Sequence, residues 1–390
     1  MPVVSPSLKI RCPYCHKNFH PGDCAIYSTI TPGKVLRKSP MAGTIEYIRS
    51  RTWIEELNSH EYTSEGAARQ CPNCGNLLFE GFEMCDNVNI AIVGDASSGK
   101  THYIAMLIDQ LKRSALTQNG TGLVQLRPRN TYTNKTYRDV YYKPIIQDLT
   151  IAGETMRGRY DPRGNPLRNE PLVYQLVIQD NATGKNNMLN LLLYDISGED
   201  LADRTTLVQF GEHVLRADGI IYLADPLSME YIRQQVPAHI QPSFETGRRT
   251  EEVLTTMLYR FEQYNRGRPG EAIHIPTAIA VSKADLLQYI IPEPERHNYS
   301  LFYGPVYDGK AHLDDIWHID QEVRSILRKC GEDALLHISQ RFEQVSFFAI
   351  SATGNAPDSN GRYSRIEPHR CLDPFIWLLW KLNFLQAVRY

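Results

Sequence analysis

No run of apolar residues in this chain approaches the roughly 20 needed to cross a bilayer as a helix. The longest, around "PFIWLL" from Pro374 to Leu379 and running on to Trp380, is core-sized. The opening "MPVVSPSLKIRC" lacks the apolar centre of a secretion signal, which predicts a cytosolic protein. Excess charge is missing too. Lysine plus arginine and aspartate plus glutamate nearly cancel, leaving a formal net charge of −2, so charge alone points neither to nucleic acid nor to a membrane surface. The chain contains no internal repeat and no low-complexity tract, which excludes solenoids and linker arrays. With 390 residues and 42% apolar side chains it is long enough for one large domain or two.

Cysteine is present but unevenly spread. Of the 8 cysteines, four fall in two tight pairs, "CPYC" at Cys12 and Cys15 and "CPNCG" at Cys71 and Cys74. Without a secretion signal, such pairs favour thiolate ligands over disulfides. Two residues between the cysteines let both sulfurs face one ion, and two such knuckles supply the four thiolates of a closed structural zinc site. His16, His20, Cys24 and Cys85 lie close enough to act as alternative ligands. Cys330 and Cys371 sit far away in apolar patterns and read as buried free thiols.

Residues 1–86 therefore read as a zinc-ribbon module with a helical insert, stapled by metal because it is too small to bury enough core. The insert "TIEYIRSRTWIEELNSH" has helical spacing, with Ile48, Trp53, Ile54 and Leu57 as expected contacts. Its Lys34, Arg37, Lys38, Arg49 and Arg51 form a mildly basic, solvated face.

From residue 87 the pattern becomes strands alternating with helices, the signature of an α/β domain with a mainly parallel sheet. The spacing predicts strands at 88–94, 172–179, 189–195, 219–225, 277–283 and 347–351. The second and third are joined by a hairpin through "DNATGKNNM". Helices are expected at 100–113, 246–265 and 372–387.

"NIAIVGDASSGKTHYIAMLIDQL" is an apolar strand, a glycine-bearing loop and a helical pattern, the context that makes a GxxxxGK[ST] match specific. Gly94 and Gly99 allow backbone that a side chain would obstruct. Asp95, Ala96, Ser97 and Ser98 supply the amides of a phosphate cradle, Lys100 reaches β- and γ-phosphates, and Thr101 ligates Mg²⁺. In "LLLYDISGED" a strand delivers Asp195 to support that metal, and the Gly198 amide can sense a γ-phosphate. "IAVSKADLL" places Ser282, Lys283 and Asp285 at a strand end. There a carboxylate can accept both guanine N1–H and the exocyclic amine, a donor pair adenine lacks. "FFAISATG" adds a Ser351-Ala352-Thr353 turn whose backbone can meet the guanine oxygen.

The order of these four motifs, each at a strand end, resembles the signature series of TRAFAC-class GTPases, which include Ras-like and translation-factor enzymes. The resemblance spans about residues 88 to 390. It implies a P-loop three-layer sandwich, a Ras-like G domain enlarged by insertions near 121–170, 227–275 and 286–345, with a final helix on the sheet. An N-terminal zinc ribbon on such a domain is similar to bacterial conflict-system GTPases of the double-GTPase type. The expected cofactors are GTP or GDP, Mg²⁺ and zinc, and the expected partners are proteins meeting the ribbon and the insertions.

Two departures stand out. Ser282 replaces the usual Asn of NKxD, which questions how the base loop is tied to the phosphate loop. Glu199 follows Gly198 where Ras-like enzymes carry a water-orienting Gln. Its charge opposes a γ-phosphate, implying slow hydrolysis, unless it simply points to solvent. The switch threonine is open among Thr121, Thr131, Thr133, Thr136, Thr150 and Thr155. Arg157, Arg159 or Arg163 is either a finger in cis or part of an exposed loop. A zinc-ribbon assembly or nucleic-acid-binding module with a structural nucleotide, and a P-loop ATPase, remain the alternative functions.

Overall fold

A computed structural model describes residues 8–53, 57, 66–79, 81–83, 85–95, 97–113, 123–151, 170–180, 185–195, 212–238, 240–241, 250–265 and 271–389. At the N-terminus, β1 (Ile10–Arg11) and β2 (Asn18–Phe19) pair antiparallel around the first knuckle. Strands β3 (Ala25–Ser28), β4 (Val35–Arg37) and β5 (Ala67–Gln70) form a second antiparallel sheet in the order β4-β3-β5.

The helix expected in the insert forms over Ile45–Thr52. The Thr44 hydroxyl caps it by accepting from Tyr47 N at 3.1 Å. Glu46 in its first turn and Arg49 and Arg51 in its last complement the helix dipole. Of the apolar contacts that the spacing suggested, Leu57 is half-buried, while Ile48 and Trp53 are not covered. Ile48 is 63% exposed and Trp53 45%, Ile45 is exposed as well, and Ile54 lies outside the described residues. The helix instead buries Ser50 against Gly22, where a side chain would strike the Ser50 carbonyl.

The larger part of the chain is built on a seven-stranded sheet. Its strands are β6 (Asp86–Gly94), β7 (Leu123–Pro128), β8 (Leu172–Asp180), β9 (Lys185–Asp195), β10 (Gly219–Ala224), β11 (Thr277–Val281) and β13 (Val345–Ala349). Two short strands outside it, β12 (Ala311–His312) and β14 (Ala387–Val388), pair parallel with each other. The order across the sheet is β13-β11-β10-β6-β9-β8-β7. From β13 to β9 all pairs are parallel, while near one edge β8 pairs antiparallel with both β9 and β7. Strand β7 was not foreseen from the sequence.

The central strands read as unbroken apolar runs because both faces are covered. Helices Lys100–Lys112, Thr250–Asn265 and Leu313–Lys329 supply the parallel crossovers, and Asp373–Lys381 packs after β13. The last helix is shorter than expected, because the chain turns back after Lys381 to form β14. Its Phe375, Leu378 and Leu379 are fully buried, and Gly219 of β10 admits Leu378 so closely that a Cβ would meet it at 3.0 Å. Among the described residues, no helix is long and apolar enough to cross a membrane.

The chain leaves β6, builds β7, β8 and β9 on one side, and returns to β10 on the other. The carboxyl end of β6 is therefore a topological switch point, where loops to left and right part and leave a crevice.

Candidate functional site

Strand β6 ends at Gly94, and helix Lys100–Lys112 begins six residues later. A side chain at Gly94 would collide with the Leu223 carbonyl and come within 2.8 Å of Ser98 Oγ, so the loop tolerates only glycine there. Ser97 (φ 61°) and Gly99 (φ 80°) both adopt left-handed backbone, which lets the chain turn sharply from the strand into the helix. Lys100 is buried, and its Nζ arches back to the carbonyls of Gly94 (3.1 Å) and Asp95 (2.8 Å). Ser98 Oγ is buried and, among the described residues, has no hydrogen-bond partner. An unfilled polar atom inside a glycine-formed cradle at a helix N-terminus fits a phosphate. Ala96 lies outside the described residues.

Asp195 ends β9, opposite Ile92 of β6, two residues before Gly94. Its Oδ2 accepts from Tyr141 OH at 3.2 Å. Tyr141 comes from a π-helix, Tyr137–Gln147, packed beside Lys100–Lys112 with Lys112 Nζ 3.7 Å from the Tyr137 ring centre. Thr101, in the first turn of its helix, and Asp195 thus approach the crevice from two elements. Gly198 and Glu199 lie outside the described residues, as do Thr121, Thr155, Arg157, Arg159 and Arg163. Of the remaining threonines, Thr133 accepts from Val173 N (2.8 Å) and Thr150 donates to the Pro144 carbonyl (2.8 Å), so both hydroxyls are engaged within the fold.

The stretches Ser282–Asp285 and Ser351–Thr353 come together. Asp285 Oδ1 accepts from Ser351 Oγ at 2.6 Å, Ser351 Oγ accepts from Gly354 N at 2.9 Å, and Ala284 N donates to the Ile350 carbonyl at 2.9 Å. His369 exchanges two backbone hydrogen bonds with Ser351, bracing the turn that carries Ala352 and Thr353. Lys283 holds left-handed backbone (φ 48°) between them.

Ser282 does not reach the loop between β6 and helix Lys100–Lys112; its Oγ donates to the Ala224 carbonyl at 3.1 Å. The tie is made elsewhere. Lys283 Nζ pairs with Asp225 Oδ2 at 2.7 Å, and Asp225 N donates to Asp95 Oδ2 at 2.9 Å. Asp95, 1% exposed, also accepts from Tyr222 OH and Thr250 Oγ1, each at 2.5 Å. Burial raises the Asp95 carboxyl to about 6 despite these three donors. The loop after β6, the end of β10 and the loop carrying Lys283 thus form one interlock centred on the buried Asp95.

His102, next to Thr101, meets Tyr363 OH at 3.2 Å, and burial drives the imidazole down to about 4, leaving it neutral. Sequence reading missed Tyr141, Tyr222, Asp225, Thr250, His102 and Tyr363. Only Asp225 carried a signal, as an acid closing an otherwise apolar strand.

The four paired cysteines converge, with all sulfurs within 4.8 Å of one another and the Cys12–Cys74 and Cys15–Cys71 pairs at 3.9 Å. Tetrahedral zinc with Zn–S of about 2.3 Å requires sulfurs ~3.8 Å apart, so the set fits. The knuckles match in backbone. Cys12 and Cys71 carbonyls accept from His16 N and Gly75 N, and both of those residues are left-handed. Backbone N–H groups of Tyr14 and Cys15 aim at Cys12 Sγ, and that of Asn73 at Cys71 Sγ. His16, His20, Cys24 and Cys85 stand outside the cluster. Cys24 is a buried thiol pushed up to about 12, and Cys330 and Cys371 are buried as expected.

No protein-family model matches the chain. It is 28% identical over 327 residues to a Mycolicibacterium smegmatis protein named "Putative ESX-1 scaffolding and assembly protein SaeC", covering 80% of this chain and 79% of that one. Among solved structures it is similar to a chain of the signal recognition particle receptor SRb-GTP/SRX complex from Chaetomium thermophilum, at 12% identity, 70% of this chain, 94% of that chain and a TM-score of 0.28. It is also similar to sup35 complexed with GDP, at 12% identity, 74% of this chain, 44% of that chain and a TM-score of 0.26. The S. cerevisiae Ski7 GTPase-like domain bound to GTP follows, at 11% identity, 79% of this chain, 53% of that chain and a TM-score of 0.29. These superpositions are loose, and the α/β architecture rests on the strand order and register described above.

Proposed function

We propose that the chain is a Mg²⁺-dependent GTP-binding protein that hydrolyses GTP slowly to GDP and phosphate and acts as a nucleotide-controlled switch. The observation that carries this reading is the preset carboxylate of Asp285, held by Ser351 and joined through Lys283, Asp225 and Asp95 to a phosphate-type loop at the switch point of the sheet. Asp285 accepts the two guanine donors, with the stem of Lys283 along the base. Amides of the loop and of the helix N-terminus would surround phosphate oxygens, and Lys100 would exchange its loop carbonyls for β- and γ-oxygens. Thr101 and Asp195 would hold Mg²⁺, which would neutralise phosphate charge. Asp195 must loosen its contact with Tyr141 to do so. Gly198 and Glu199 keep their proposed roles as γ-phosphate sensor and water-facing acid.

Residues 1–86 act as the zinc ribbon and 87–390 as the GTPase domain, whose insertions offer surfaces to protein partners. A role in a bacterial conflict system rests on resemblance alone. A second reading, in which the nucleotide governs assembly of a larger protein complex, is favoured by the name and extent of the mycobacterial relative. Calorimetric titration of GTP, GDP and ATP with Mg²⁺, followed by phosphate-release assays, tests the first reading. Guanine-selective binding with slow turnover supports it, equal ATP binding makes the protein an ATPase, and retained nucleotide with no turnover favours the assembly reading.

A further inference from the structure

The first cysteine knuckle is bolted to the strand that carries Asp195. Tyr194 OH donates to the Pro13 carbonyl, between Cys12 and Cys15, at 2.9 Å, and the bond is buried. His213 stacks on the Tyr194 ring, with centroids 4.1 Å apart and planes 17° apart, and its Nδ1 lies 3.3 Å from Nε2 of His16. Arg11, the residue before Cys12, pairs with Asp218 at 2.5 Å and donates to the Arg216 carbonyl. The other Asp218 oxygen accepts from Asn89 N of β6 at 2.8 Å. Residues 11–16 therefore grip the end of β9, the helix Glu212–Leu215 and the entry to β10 at once.

Successive side chains of a strand point to opposite faces. Tyr194 accordingly faces the knuckle while Asp195 faces Tyr141 and the crevice. The backbone pairing of β9 with β6 ends at Asp195, so the knuckle anchors the strand within one residue of its last paired position.

We infer that Tyr194 and His213 are positioning residues through which the Cys12–Cys15 knuckle fixes the direction of Asp195, coupling the cysteine cluster to the Mg²⁺ subsite of the nucleotide. The inference rests on the guanine-nucleotide reading above. Zinc holds the knuckle rigid, so the strand end cannot shift without displacing Pro13. Coupling of this kind is reciprocal: nucleotide with Mg²⁺ steadies the knuckle as much as the knuckle steadies Asp195.

The test uses the full, zinc-loaded chain and its Tyr194→Phe and His213→Ala variants. Zinc content, GDP affinity against Mg²⁺ concentration, and hydrogen exchange at the Tyr14 and Cys15 amides are measured in each. Tyr194→Phe keeps the stack and loses only the bond to Pro13. It is expected to retain one zinc per chain and to bind GDP normally at saturating Mg²⁺. Its half-saturating Mg²⁺ should rise about three- to tenfold, the size one hydrogen bond allows. Mg²⁺ with GDP should slow exchange at Tyr14 and Cys15 in the wild type and lose that effect in both variants. An unchanged Mg²⁺ dependence in both variants, or knuckle amides indifferent to Mg²⁺ and GDP in a wild type that binds GDP, overturns the inference. A wild type that binds no guanine nucleotide overturns the functional reading itself, and this inference with it.

Discussion

Replacing Asp95 by alanine removes the acceptor at the centre of the interlock, and the structure sets both the cost and its pH dependence. Three buried donors lose their partner: Tyr222 OH, Thr250 Oγ1 and Asp225 N. The two hydroxyls have fallbacks, since Tyr222 OH lies 3.5 Å from the Thr250 carbonyl and Thr250 Oγ1 3.4 Å from Ser228 Oγ. The Asp225 amide cannot rotate. At about 1 kcal/mol for each hydroxyl and ~1–3 kcal/mol for the amide, the loss is about 3–5 kcal/mol. The carboxyl is raised from 3.8 to about 6 on folding, so between those values the folded state binds more protons than the unfolded one. Its contribution is therefore fully present below about pH 3.8 and is lost as pH rises through 6. Between pH 5 and 7 the wild type should lose about 1 kcal/mol that the variant does not. Urea denaturation of both proteins at pH 5, 6 and 7, without nucleotide, measures the gap. A gap that narrows by about that amount supports the interlock. A gap that is constant or widens, or a cost below about 1 kcal/mol, refutes the proposed burial of a raised carboxylate in the loop.

Ser351→Ala removes the hydroxyl that presents Asp285, and calorimetry should find GDP binding weakened about ten- to a hundredfold, the range of one charge-assisted hydrogen bond. Lys283→Met keeps the stem but leaves Asp225 buried without its cation. Because Lys283 is partly exposed, a loss of about 1–3 kcal/mol in urea is expected, less than for a fully buried pair. Cys71→Ser should lower zinc from one per chain to near zero by elemental analysis and lower Tm. Retained stoichiometric metal would show that another donor completes the site.

The parts of this protein that sequence made legible are those encoded by short stretches. The glycine-bearing loop after β6, the strand ends bearing Asp195 and Asp285, and the two cysteine pairs each declare themselves within about ten residues. What stayed hidden depends on distant partners. Asp95 and Asp225 are separated by 130 positions, and nothing local in either marks the hydrogen bond between them. Ser282 shows the same limit: the missing Asn was visible, but the substitute tie through Lys283 and Asp225 was not. Strand β7 has an edge position and mixed side chains, "LVQLRP", which give neither a clean alternation nor a buried run. The helix Ile45–Thr52 failed differently. Its spacing was read correctly, yet periodicity cannot say whether an apolar stripe meets a partner within the chain, and Ile45 and Ile48 face outward.

The central claim is that Asp285 selects guanine, and Asp285→Asn tests it most directly. A carboxylate accepts from N1–H and the exocyclic amine of guanine, whereas an amide NH₂ donates and so suits the carbonyl that xanthine carries at that place. GTP, XTP and ATP are titrated into wild type and variant at fixed Mg²⁺. The account predicts that the wild type prefers GTP over both others, and that the variant loses at least tenfold in GTP affinity while gaining XTP, equivalent to about 1.4 kcal/mol or more. Equal affinity for GTP and ATP in the wild type, or an order of preference unmoved by the substitution, would contradict it.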